Sequence, residues 1–128
     1  MHVPLSFYLW VGLGGFVGSV ARYAVALWMA RFTTGFPLGT LLVNITGCFL
    51  IALIAGLASK THLISPEMRL LLATGFCGGF TTFSSLMYEV MTLLEEGQWF
   101  YVSIYVGGSV IGGFLAVYMG LWLVEKWV

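Results

Sequence analysis

The sequence predicts an all-α integral membrane protein with four transmembrane helices, the third broken mid-membrane, in one domain over residues 1–128. Three observations predict it. The chain is 60% hydrophobic, with a mean hydropathy of +1.01 and 8% charged residues, where a soluble domain carries about 25%. Four apolar runs, residues 5–30, 38–58, 68–94 and 99–123, are each long enough to cross a bilayer. The third holds three glycines in five residues, Gly75, Gly78 and Gly79, and then the hydroxyls of Thr81, Thr82, Ser84 and Ser85. Glycines weaken a helix, and hydroxyls are costly in lipid unless they face something polar.

The first run has a short charged head but no small-residue cleavage site, so it is kept as a span rather than a signal peptide. Gly14 and Gly18 form a GxxxG pair suited to close helix packing. Arg22 lies too deep for a loop charge. Two readings fit it equally: snorkelling to the interface, or facing a water-filled vestibule and attracting anions.

The second run opens at Pro37, which suits a first helical turn. Thr40, Asn44 and Gly47 then share one face, at i, i+4 and i+7. A mid-span asparagine needs its amide satisfied. An interhelical hydrogen bond and a donor aimed at a polar pathway both meet that need.

In the third run, residues 75–79 are expected to break the helix. Non-helical backbone at this depth survives only inside protein or beside a wet cavity. A break releases carbonyls for a cation and amides for an anion. Thr81, Ser85, Tyr88 and Thr92 recur with helical spacing, Glu89 borders that face, and Phe83 and Leu86 lie beside it. Hydroxyl and amide donors with aromatic ring edges, and no strong cationic centre, suit a small, strongly hydrated anion that must also leave. The bland alternative is that the hydroxyls bond back to their own helix.

The fourth run carries Tyr105 and Ser109 among small residues, with Gly108/Gly112 and Ser109/Gly113 as packing pairs. Trp28, Trp99, Trp122 and Trp127 lie near span ends, as interfacial aromatics do.

Net charge is zero with no basic stripe, so no nucleic acid partner is expected. His2 and His62 have no metal-ligand neighbour at useful spacing, and Cys48 and Cys77 read as small buried hydrophobes. No enzyme is expected. Lys60, Arg69 and Lys126 fall on one side of the membrane and Arg31 on the other, a weak orientation signal. A chain so balanced can insert both ways round, which permits an antiparallel dimer. Four helices are too few to enclose a pore comfortably, so a pathway is expected at a subunit interface.

These residues resemble the Fluc (CrcB) family of fluoride channels across all four spans. Gly14, Gly15, Gly18, Arg22 and Tyr23 are similar to its first-span motif, and Pro37, Leu38, Gly39, Thr40, Asn44 and Gly47 to the second. Gly75, Gly78, Gly79, Thr81, Thr82, Phe83 and Ser84, with Glu89 following, are similar to the third. Ser109 with its flanking glycines is the fourth and least specific match.

The resemblance implies an antiparallel, dual-topology homodimer in the cell (inner) membrane, with the lipid bilayer and a second copy as partners. It implies two fluoride pathways at the dimer interface, passive export of toxic fluoride and exclusion of chloride. It implies a structural sodium ion at the dimer centre, held by the main-chain carbonyls of Gly78 and Thr81. It maps the fluoride pathway to Asn44, Phe83, Thr82, Ser84 or Ser85, and Ser109, with Thr40 nearby, Glu89 at the end of the track and Arg22 in the vestibule. Where well-known members carry a second pore phenylalanine, this chain has Leu86, which offers no ring edge. Leu86→Phe is therefore expected to leave conduction intact or raise it. The rival reading is a small dual-topology, proton-coupled exporter of organic cations. It needs a deep carboxylate, for which Glu89 is the one candidate.

Overall fold

The computed structural model describes residues 1–128, all in helices or short connections. In chain order these are α1 (Leu5–Met29), α2 (Leu38–Lys60), α3 (Pro66–Arg69), a π-helical stretch (Leu70–Cys77), α4 (Gly78–Phe80), α5 (Phe83–Glu95) and α6 (Trp99–Trp127). Four segments are long and apolar enough to cross a membrane: α1, α2, the composite third span Pro66–Glu95, and α6. Only 15 of the 128 residues are buried. Large apolar side chains such as Leu9, Phe16, Phe114 and Tyr118 cover the outside, a surface suited to lipid rather than water.

Local chemistry sets the ends of the third span. Ser65 caps its start by accepting the Met68 N–H (3.1 Å), with Pro66 in the first turn. At its far end Gly97 takes φ 71°. The Gln98 N–H then returns to the Leu93 carbonyl (2.8 Å) and the Gly97 N–H to Leu94 (3.0 Å). This pair of bonds is a Schellman stop, which a glycine at the left-handed position makes cheap. It turns the chain sharply into α6.

Two seams hold the bundle together. α1 lies along the π-helical stretch and α4, backbone against backbone. A Cβ on Gly14 would collide with the Leu71 carbonyl, and one on Gly75 would lie 2.9 Å from Gly14 Cα. Only residues without side chains allow helices this close. α6 lies along α2, where a Cβ on Gly120 would sit 2.8 Å from Ala52 Cβ. Cys48 is half-buried and Cys77 buried, and neither is paired.

The break lies downstream of the position expected from the glycines. Gly78 is helical (φ −61°, ψ −39°), whereas Thr81 (φ −90°, ψ 158°) and Thr82 (φ −152°, ψ 120°) are extended. Gly75 and Gly79 serve the α1 contact instead: a Cβ on Gly79 would lie 2.5 Å from the Gly15 carbonyl. Tight packing offsets their poor helix propensity, which is only about 1 kcal/mol per glycine. The stretch before the break is π-helical, a winding often found at functional sites.

Candidate functional site

The break is organised by a side chain from another helix. Asn44 of α2 accepts the Thr82 N–H at Oδ1 (2.8 Å) and donates from Nδ2 to the Thr82 carbonyl (3.0 Å). The interhelical bond expected of Asn44 is therefore made, and it uses one of the amide's two N–H groups. Gly47, one turn on, has no room for a side chain because the Thr81 methyl fills that place.

Four backbone carbonyls, those of Gly78, Gly79, Phe80 and Thr81, lose their helical donors as a result; two of them follow directly from the polar side chains. A continuing helix would direct the Thr82 N–H to Gly78 and the Ser85 N–H to Thr81. The first goes to Asn44, and the second goes to Thr82 Oγ1 (3.2 Å), which caps α5. Gly78 is exposed, with open space around it. The Cys77 carbonyl, by contrast, keeps the Thr81 N–H (3.0 Å) and gains the Thr81 hydroxyl (2.8 Å). The Gly79 carbonyl accepts Arg22 Nε (2.9 Å).

On the α5 side of the break the hydroxyls gather. Thr82 Oγ1 donates to Ser85 Oγ (3.1 Å) and lies 3.3 Å from Ser84 Oγ. They sit at a helix N-terminus, where unpaired amides leave partial positive charge. Phe83 beside them is 73% exposed. Asn44, Gly78, Thr81, Thr82, Phe83 and Leu86 line a cleft of about 450 Å³.

Leu86 forms the inner wall of that cleft rather than standing out beside Phe83. It is buried and packs in a cluster with Leu93 and Tyr105. Three residues separate positions 83 and 86, which leaves Leu86 about 60° round the helix from Phe83 and towards α6.

A second polar group lies one turn further along α5. Glu89 accepts the Thr40 hydroxyl at Oε1 (2.8 Å) and the Tyr105 hydroxyl at Oε2 (2.5 Å), tying α2, α5 and α6 together. Tyr105 is completely buried. The sequence assigns Tyr105 no role, although a phenol inside a span needs a partner. Thr40 and Glu89 also border a cleft of about 460 Å³ near the ends of α1 and α5.

The candidates thus fall into separate places. Asn44, Gly78, Thr81, Thr82, Phe83, Ser84 and Ser85 surround the break, while Thr40 joins Glu89. Arg22 is attached to the other side of α4. Thr92 bonds back to the Tyr88 carbonyl (3.1 Å), and Thr81 to Cys77, so the bland reading holds for those two hydroxyls of the stripe. Ser109 Oγ is buried with no hydrogen-bond partner, a costly state that a donor or acceptor arriving from elsewhere would relieve. Nowhere do three or more His, Cys, Asp or Glu side chains gather.

Residues 9–121 match the family model described as CrcB-like protein, Camphor Resistance (CrcB). The chain is 58% identical over 119 residues to a protein of Chlorobium phaeobacteroides (strain BS1), covering 93% of each. It is 53% identical over 127 residues to one of Prosthecochloris aestuarii, covering 99% of each. A protein of Chlorobium chlorochromatii is 57% identical over 120 residues, 94% of this chain and 92% of the relative. All three relatives bear the name fluoride-specific ion channel FluC. Matched from its first span to its fourth, the chain is a multi-pass membrane protein and belongs to the CrcB family.

Proposed function

We propose that this chain is a fluoride-selective ion channel, not an enzyme, through which toxic fluoride leaves the cell passively. Two copies form an antiparallel, dual-topology homodimer with two pathways at the interface. The observation that carries the reading is the paired bond between Asn44 and Thr82, which opens the third span beside three hydroxyls and an exposed ring. The names of relatives 53–58% identical to it supply the ion.

A fluoride ion holds its water strongly, so a path must replace that water with donors. The second Asn44 N–H, the hydroxyls of Thr82, Ser84 and Ser85, and the Phe83 ring edge offer them without a full positive charge. Binding by neutral donors is weak enough to let the ion move on. Ser109 Oγ, lacking a partner inside the chain, is a further donor along the track. Glu89, held by Thr40 and Tyr105, closes its end. Exposed Ser84 and Gly78 on a membrane helix favour cover by protein over lipid, which supports pairing through this face.

The released carbonyls of Gly78 and Thr81 fit a sodium ion by donor chemistry, since hard cations take oxygen ligands and unwound helices supply them. Sodium there supplies a fixed positive charge and a tie between the two copies.

The exporter reading loses ground at Glu89. Both its oxygens already accept hydrogen bonds from Thr40 and Tyr105, whereas a proton-coupled exporter needs that carboxylate open to its cargo. Reconstitution in liposomes decides between them. Fluoride efflux without chloride efflux, read with ion electrodes, is the expected result. Absence of any anion flux sinks the channel. Proton-driven cation uptake that Glu89→Gln abolishes restores the exporter.

A further inference from the structure

The first half of the third span ends at Phe80, and the carbonyls around that end have different fates. Those of Gly78 and Thr81 have lost their helical donors to Asn44 and Thr82, and that of Phe80 has lost the Ser84 N–H to the break itself. The Gly79 carbonyl, one peptide from Gly78, accepts Arg22 Nε (2.9 Å). Arg22 reaches it from α1 because Gly15, Ser19 and Arg22 recur at i, i+4 and i+7 on the face that α4 approaches. A Cβ on Gly79 would lie 3.0 Å from Ser19 Oγ and 3.1 Å from Gly15 Cα. Both readings open at the sequence level, snorkelling and vestibule, put this guanidinium in or near water. The bond to Gly79 instead puts Nε against protein, with the side chain half-buried.

The electrostatics follow from that placement. Arginine stays protonated in proteins. Its charge is favourable against the negative end of a helix. A second cation on the neighbouring carbonyl is repelled by it, in a setting where salt screens weakly.

We propose that Arg22 is a positioning residue for the break: it occupies the Gly79 carbonyl, keeps a bound cation off it, and holds down that cation's affinity for the released carbonyls on either side. This rests on the sodium reading above. Arg22 then acts through its charge on the cation site.

The test is thermal unfolding of the purified full-length protein in detergent, with sodium chloride exchanged against choline chloride at constant ionic strength. Sodium raises the unfolding temperature of the wild type. In Arg22→Gln the sodium concentration for half the effect falls on the order of tenfold, and in Arg22→Lys, which keeps the charge, it stays near the wild-type value. Arg22→His repeats the test within one protein, since its half-effect concentration falls between about pH 5.5 and about pH 8 as the imidazole loses its charge. This variant stands in if the glutamine variant does not fold. A uniform drop in unfolding temperature with an unchanged half-effect concentration makes Arg22 a packing residue and overturns the proposal. A wild type indifferent to sodium, yet conducting fluoride in liposomes, overturns it together with the sodium reading while leaving the channel intact.

Discussion

Asn44 and Thr82 exchange two hydrogen bonds, side-chain oxygen to amide (2.8 Å) and side-chain nitrogen to carbonyl (3.0 Å). In effect Asn44 pairs with the Thr82 backbone as a neighbouring strand would. An asparagine amide is one of few groups that can do both at once. The pair also accounts for an extended residue surviving at membrane depth, because neither backbone group is left without a partner.

Asn44→Asp keeps the acceptor, removes the donor, and sets a carboxylate against the Thr82 carbonyl. Fluoride efflux from liposomes is expected to be lost, with the protein still folded on size exclusion. Wild-type efflux in this variant removes Asn44 from the path. Asn44→Ala removes both bonds to Thr82, strands its N–H, and is expected to destabilise the fold by about 1–3 kcal/mol, read by thermal unfolding in detergent.

Gly14 and Gly12 are two residues apart and face different surroundings. A Cβ on Gly14 meets the Leu71 carbonyl and lies 2.8 Å from the Phe76 amide, while one on Gly12 meets nothing within 4 Å. Gly14→Ala is expected to cost about 1–3 kcal/mol through overpacking. Gly12→Ala is expected to be neutral or stabilising by up to about 1 kcal/mol, because alanine is the better helix former. Equal unfolding temperatures for the two variants contradict this packing of α1.

Tyr105→Phe removes the hydroxyl from Glu89 Oε2 without changing the ring. Hydrogen bonds to charged groups contribute about 1.5–3 kcal/mol, so a loss of that order is expected. In a Glu89→Gln background the same substitution should cost less, by at least about 0.5 kcal/mol. A double-mutant cycle on unfolding free energies measures this, and zero coupling means that the two side chains do not meet in the folded protein.

Leu86→Phe keeps its expectation for conduction and gains one for stability. Leu86 is buried against Leu93 and Tyr105, with the 450 Å³ cleft on its other side. The added ring has room only towards that cleft. Fluoride efflux is expected to persist, with a stability loss of about 1 kcal/mol from repacking. Abolished flux in a folded protein means that the ring blocks the path.

Much of the architecture was legible before any coordinates. Long apolar runs must be helices in lipid because their backbone groups have no other partners there. The position of the break was not legible. Three glycines in five residues advertised it at 75–79, but a glycine in a helix serves close packing as readily as disruption. α1, supplying Gly14, Gly15 and Gly18 opposite them, settled which.

The sequence by itself determined the membrane class, the four spans, an interruption in the third, and which polar side chains had to find partners. It could not say which partners. Asn44 was open to a polar pathway or to a neighbouring helix, and Arg22 to the membrane interface or to a water-filled vestibule. Only the tertiary structure decided these, because a hydrogen bond depends on where distant segments meet: α2 brings Asn44 to Thr82, α6 brings Tyr105 to Glu89, and α1 brings Arg22 to Gly79. In a medium without water a polar group depends on a partner within reach, and reach is set by the packing of the helices.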